Sequence, residues 1–132
     1  MVSRDIRDLT PFMQRVAFNF KSWYKRMFPR RDIILTCTYR DIYDQNRLYR
    51  RGRTKPGPWA TDCDGVIKKS KHNYRPSRAF DFAVKINGKI SWKEKYYDSA
   101  WLFFREAKLT KKVRWGGNWS SKRKDRPHIQ QV

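Results

Sequence analysis

The stretch Ser70-Lys71-His72-Asn73-Tyr74-Arg75-Pro76-Ser77-Arg78-Ala79-Phe80-Asp81-Phe82 holds one of the chain's two histidines and runs directly into a short apolar segment. From Ala79 to Val84 that segment alternates: Phe80, Phe82 and Val84 point one way, Ala79, Asp81 and Ala83 the other. The aromatic face reads as core. The carboxylate between two alanines reads as a group with space kept clear above it. A half-buried strand fed by a loop that Pro76 stiffens is the centre from which the rest of the fold is read.

Downstream, Asn87-Gly88 is a type I′ hairpin signal leading into Ile90-Ser91-Trp92. Tyr96, Ala100, Phe103, Phe104 and Ala107 recur at helical spacing. Val113-Arg114-Trp115 reads as a short strand before Gly116-Gly117, and Pro127 to Gln131 as the last strand. Proline cannot donate to a ladder, so that strand starts at an edge or just outside pairing, with His128 and Gln130 on the site face and Ile129 and Gln131 on the other. Upstream, Thr10-Pro11 supplies a hydroxyl cap and a first-turn proline for a helix ending near Pro29. Phe12, Val16, Phe20 and Trp23 give it a core face, with Met13, Ala17, Tyr24 and Met27 beside them. Ile33 to Arg40 reads as a strand with Ile33, Leu35, Cys37 and Tyr39 on one face. Asp41 to Arg51 reads as a short helix with Ile42, Gln45, Leu48 and Tyr49 along one side. Gly52 to Tyr74 is a long punctuated loop, a feature that is more often functional than not. With no repeat and no linker, the expectation is a single α+β domain over residues 1–132, an antiparallel sheet with flanking helices.

Hydrophobic residues make up 39% of the chain and aromatics 16%, which excludes a disordered basic tail. No run approaches the length of an apolar membrane span, and Met1-Val2-Ser3-Arg4-Asp5 does not read as a signal peptide. If the protein acts outside the cytoplasm, a separate agent is expected to open its way. Thirty-two Lys and Arg against 12 Asp and Glu give a net charge of +20, which implies a polyanionic neighbour. Cys37 reads as a strand residue and Cys63 as a loop thiol; a bond between them stays open.

The second histidine stands in Asp125-Arg126-Pro127-His128. His72, Asp81 and His128 would supply three protein ligands and leave a fourth position open, the construction of a catalytic zinc site. Asp125 can reach that site only from a turn just before the last strand, because in a regular strand positions 125 and 128 face opposite sides. Arg40 could offer a fork of hydrogen bonds to a carboxylate or oxyanion, although among so many basic residues spacing alone does not lift it. Trp115, Trp119 and Lys122-Arg123-Lys124 leave a second reading, a non-catalytic basic nucleic-acid-binding protein, that rests on charge and aromatics without any recognised motif.

Several motifs carry a resemblance: Thr38-Tyr39-Arg40, Asp44-Gln45, Leu48-Tyr49, Gly52-Arg53-Thr54-Lys55-Pro56-Gly57, Ser70-Lys71-His72-Asn73, Arg78-Ala79-Phe80-Asp81, Trp115-Gly116-Gly117-Asn118-Trp119 and Asp125-Arg126-Pro127-His128. In this order they resemble the phage L-alanyl-D-glutamate peptidases of the zinc D-alanyl-D-alanine carboxypeptidase group, whose pattern is SxHxxGxAxD followed by Glu/Asp-x-x-His. The resemblance implies one catalytic Zn2+ on His72, Asp81 and His128, with Asp125 as the general base toward the attacking water. It implies that Arg40 polarises the scissile carbonyl or holds the oxyanion, and that Ser70, Gln45 and Tyr39 shape the substrate groove. His72 and Asp81 are nine residues apart, two more than in the pattern, with Arg75-Pro76-Ser77 replacing the glycine turn. The loop is expected to bulge there and Arg75 to add a substrate contact. The implied substrate is the stem peptide of bacterial peptidoglycan, at its L-Ala–D-Glu bond. The implied setting is a monomeric phage endolysin, made in the host cytoplasm and acting on the wall after the membrane is permeabilised. The positive charge fits attraction to the anionic cell envelope, with no specific nucleic acid as partner.

Overall fold

In the computed structural model, which describes residues 1–132, helix α1 runs Pro11–Met27. Thr10 Oγ1 accepts the Met13 N–H, and Pro11 sits where its missing N–H has no intrahelical partner to lose. The buried stripe is Met13, Val16, Ala17, Phe20 and Tyr24. Phe12 and Trp23 flank it half-buried, and Met27 is exposed.

Five strands, β1 (Arg31–Cys37), β2 (Ala79–Ile86), β3 (Lys89–Ser91), β4 (Val113–Trp115) and β5 (His128–Gln131), form one antiparallel sheet in the order β1-β2-β5-β4. β2 is the hub. β1 lies along one edge, while the other edge pairs Ala79–Asp81 with β5 and Val84–Ile86 with β3. The β2–β3 turn places Asn87 and Gly88 at φ 51° and 79°, the backbone that a type I′ hairpin requires. Two further helices, α2 (Ile42–Arg50) and α3 (Glu94–Glu106), complete the α+β architecture.

Phe80, Phe82 and Val84 do form the core face, packed under α1 and α3 with Ile33, Val113, Trp115 and Ile129. Phe20 is the centre of this layer, its ring 5.1 Å from Phe82 and 5.2 Å from Phe104. On α3 it is Tyr97, not Tyr96, that is fully buried: its hydroxyl donates to the Ser91 carbonyl and accepts the Val84 N–H. Ala107, expected on the core face, is the exposed C-cap.

β1 departs from its expected alternation. Leu35 pairs with Phe82 but Cys37 pairs with Asp81, so Thr36 is an extra residue, a β-bulge. The bulge turns Cys37 to the face opposite Ile33 and Leu35. The strand also ends at Cys37, not at Arg40. Thr38 and Tyr39 exchange hydrogen bonds with Ser3 instead, and the Arg40 N–H donates to the His72 carbonyl. The chain thus leaves the sheet edge to meet the loop that carries the first histidine. Ala79 and Ala83 are fully buried, while the Asp81 side chain between them keeps 20% exposure.

Candidate active site

Sheet register assembles the first part of the site. Cys37, Asp81 and His128 are direct partners across β1, β2 and β5, and directly opposed residues share a face. His128 Nδ1 lies 2.9 Å from Asp81 Oδ1, and its Nε2–H donates to Gln130 Oε1 at 2.8 Å. Gln130 shares that face because it stands two residues further along the same strand.

His72 arrives from the loop on a 3-10 turn, Lys71–Asn73. Ser70 Oγ accepts the His72 N–H and Asn73 Oδ1 accepts the Ser70 N–H, a reciprocal capping box. Asn73 Nδ2 donates to the Arg40 carbonyl, which fastens this turn to residues 38–40. His72 Nδ1–H donates to the Thr38 carbonyl at 2.8 Å, leaving Nε2 at 3.2 Å from Asp81 Oδ1. The two rings stand edge to face, 5.1 Å apart. The two inserted residues are taken up by a loop with a cis Arg75-Pro76 bond and the buried Ser77, whose hydroxyl donates to Thr38 and Ala79 carbonyls.

Each imidazole therefore has one nitrogen committed to a protein oxygen and the other turned to the same carboxylate. That arrangement fits a metal centre, because the outer hydrogen bond fixes the tautomer that leaves the inner nitrogen bare. The potential ligand atoms fall into two groups sharing Asp81: Cys37–His72–Asp81 and Asp81–Asp125–His128. Without a metal charge, burial opposes ionisation of His72, but the Asp81 carboxylate more than reverses this and raises its pKa to about 10. Burial likewise works against the Asp81 anion, and the two imidazoles still hold its pKa well below the ordinary carboxylate range.

Asp125 lies in the turn before β5, as its spacing requires. Its N–H donates to the Gly116 carbonyl and its carbonyl accepts the His128 N–H. Burial first, and then the Asp81 charge, raise its pKa. The Trp115-Gly116-Gly117 motif is the seat for this turn. Trp115 Nε1 donates to the Arg126 carbonyl, and a Cβ on Gly116 would lie 2.1 Å from the Asp125 oxygen. Arg126 is held in turn by Asp98 and Glu94 of α3.

Arg40 points inward. Its guanidinium lies 3.6 Å from Asp81 Oδ2 and donates to Gln45 Oε1 at 2.9 Å. Gln45 is fully enclosed. Its amide donates to Thr61 Oγ1 and the Cys63 carbonyl, so it reaches the site through Arg40 and ties that residue to the long loop. Ser70 spends its hydroxyl on the His72 turn. Tyr39 and Arg75 stand together at the surface, the guanidinium 5.1 Å from the ring centroid. The two cysteines are free.

Sequence reasoning missed three neighbours. Trp119 packs its ring 5.1 Å from that of His128, and Cys37 places its thiol 3.6 Å from His72 Nδ1. Thr38 contributes only a carbonyl, which no side-chain pattern signals. Asn73 was legible in principle, since Ser70-x-x-Asn73 has capping-box spacing.

Residues 65–131, which include His72, Asp81, Asp125 and His128, match the family model described as D-alanyl-D-alanine carboxypeptidase. The peptidoglycan L-alanyl-D-glutamate endopeptidase CwlK of Bacillus subtilis (strain 168) is 36% identical over 107 residues, covering 76% of this chain. The chain spans 61% of that relative's length. The crystal structure of the Serratia marcescens L-Ala D-Glu endopeptidase ChiX matches at a TM-score of 0.67 and 21% identity, over 100% of this chain and 89% of that one, a likeness of fold. With the family match extending over just over half of its residues, this chain belongs to the M15 D-alanyl-D-alanine carboxypeptidase family.

Proposed function

We propose that this chain is a zinc-dependent peptidoglycan peptidase that cleaves the L-Ala–D-Glu bond of the stem peptide. The observation that carries the reading is the Asp81 carboxylate set between His72 Nε2 and His128 Nδ1, with the outer nitrogen of each ring tied to an oxygen. His72, Asp81 and His128 would hold one Zn2+, which when bound supplies an acidified water near neutral pH and a Lewis acid for the scissile carbonyl.

The chain's own groups supply the rest. Asp125, whose carboxylate lies within ligand reach of Asp81 and His128, takes the proton of the attacking water and passes it to the leaving amine. Arg40, held on its far side by Gln45, directs its donors at the charge that develops on the carbonyl oxygen. Tyr39 and Arg75 line the groove, and Ser70 and Gln45 serve the site by fixing His72 and Arg40.

The substrate assignment is supported by the activity of CwlK, and the biological role by the motif order and the charge of +20. In this reading the protein is a monomeric phage endolysin, made in the host cytoplasm and acting on the wall once the membrane is permeabilised. The test is digestion of a soluble muropeptide. The expected result is a new amino terminus on D-glutamate, lost on chelation and restored by zinc. Release of D-alanine instead would replace the endopeptidase reading by a carboxypeptidase, and an uncut muropeptide would end both.

A further inference from the structure

The loop leading to His72 contains a turn, Asp64 to Lys68, that is fixed from within yet holds two bare aliphatic side chains outward. Asp64 Oδ1 accepts the Val66 and Lys68 N–H groups at 2.9 Å, and the Gly65 N–H donates to the Lys68 carbonyl. The turn is rooted on α2. Asn46 Nδ2 donates to the Asp64 carbonyl, and Gly65, at φ 91°, lies so close that a Cβ there would meet the Gln45 side chain at 3.1 Å and the Ile42 carbonyl at 3.3 Å. What this base presents is Val66 at 65% and Ile67 at 93% exposure. A turn tip ordinarily carries Gly, Asn, Asp or Ser. Neither aliphatic residue belongs to the core cluster or to the partly buried set around it.

The charges beside the tip identify its partner. Lys68, Lys69, Lys71 and Arg78 have no carboxylate within ion-pair distance. Lys69, Lys71 and Arg78 gather around one ring, 5.5, 6.0 and 4.2 Å from the Tyr74 centroid. An apolar tip followed directly in sequence by cations without carboxylate partners matches the two layers of an anionic bilayer, the headgroup–acyl boundary for Val66 and Ile67 and the phosphates for the cations. A polar wall polymer would satisfy the cations but give Ile67 nothing apolar to enter.

We propose that the Asp64–Lys68 turn is a membrane-docking tip, inserting Val66 and Ile67 into the interface of an anionic lipid bilayer while Lys68, Lys69, Lys71 and Arg78 engage the headgroups. Ile67 precedes His72 by five residues, so docking holds the candidate active site close to the bilayer surface. The inference goes beyond the peptidase reading and uses none of its reacting groups.

The test is co-sedimentation of the full chain with phosphatidylcholine vesicles with and without phosphatidylglycerol. Wild type is expected on the anionic vesicles and not on the neutral ones. Ile67→Asp should lower partitioning by at least about tenfold, since it places a charge where an apolar group must insert. Ile90→Asp, the same charge change at an exposed strand position, should stay within about twofold of wild type. The added fluorescence of Ile67→Trp should shift to the blue on anionic vesicles. Equal losses for Ile67→Asp and Ile90→Asp, or no blue shift, would reduce the interaction to net charge and overturn the docking tip. A loss confined to purified peptidoglycan would overturn it in favour of a wall polymer. Muropeptide cleavage by Ile67→Asp should match wild type, and absence of cleavage in every chain alongside intact vesicle binding would strike the peptidase reading alone.

Discussion

At the residue scale the roles divide between holding and reacting. Asp125→Asn keeps the shape of the side chain but cannot accept a proton, so zinc should stay bound while kcat falls about 10²–10⁴-fold; loss of the metal in that variant would make Asp125 a ligand or a structural cap. A second outcome follows from charge. In the metal-free protein His72 stays protonated up to about pH 10, because Asp81 outweighs the effect of burial. That raised pKa stabilises the metal-free fold fully below the ordinary value of 6.5 and loses its effect as pH rises toward 10. Zinc needs the bare Nε2, so uptake at neutral pH must expel a proton. Calorimetry in buffers of differing ionisation enthalpy should show a buffer-dependent heat of zinc binding at neutral pH that fades as pH approaches 10, while zinc affinity rises with pH. A heat independent of buffer would mean that His72 is already neutral.

At the element scale, strands and hairpin were legible because their signals are local. Phe80, Phe82 and Val84 alternate, and Asn87-Gly88 demands one turn type. The bulge at Thr36 was not legible, since it is set by how β1 meets β2 rather than by any residue in β1, and it alone decides that Cys37 faces the site. The roles of Gln45 and Ser70 were hidden for a related reason: both are polar, and only the fold shows that their hydrogen bonds are spent inside it. That His72, Asp81 and His128 converge was legible in a chain with only two histidines, and the glycine motif near its end explains how Asp125 is seated. Gly116→Ala would drive a Cβ against the Asp125 carbonyl. It should cost about 1–3 kcal/mol by overpacking and lower kcat by displacing Asp125. Denaturant unfolding and muropeptide turnover measure the two effects, and a variant with wild-type values of both would show that the Asp125 turn does not depend on this close approach.

At the scale of the whole molecule, charge and catalysis are separable. A net charge of +20 acts at range and is screened within about 8 Å at physiological ionic strength. Cleavage of intact cell walls should therefore fall with added salt more steeply than cleavage of a soluble muropeptide. Equal salt dependence would remove the envelope-steering role of the charge. The fold places α1 and α3 on one face of the sheet and the polar cluster on the other, joined through β2, which sends Phe80 and Phe82 to the core and Asp81 to the site. Everything proposed for the reaction rests on that polar cluster being a metal site. The direct measurement is the zinc content of the purified chain and of His128→Ala by elemental analysis after dialysis. One zinc per wild-type chain and none in the variant is the expected result; a metal-free wild type after zinc loading, or full zinc retention without His128, would contradict it.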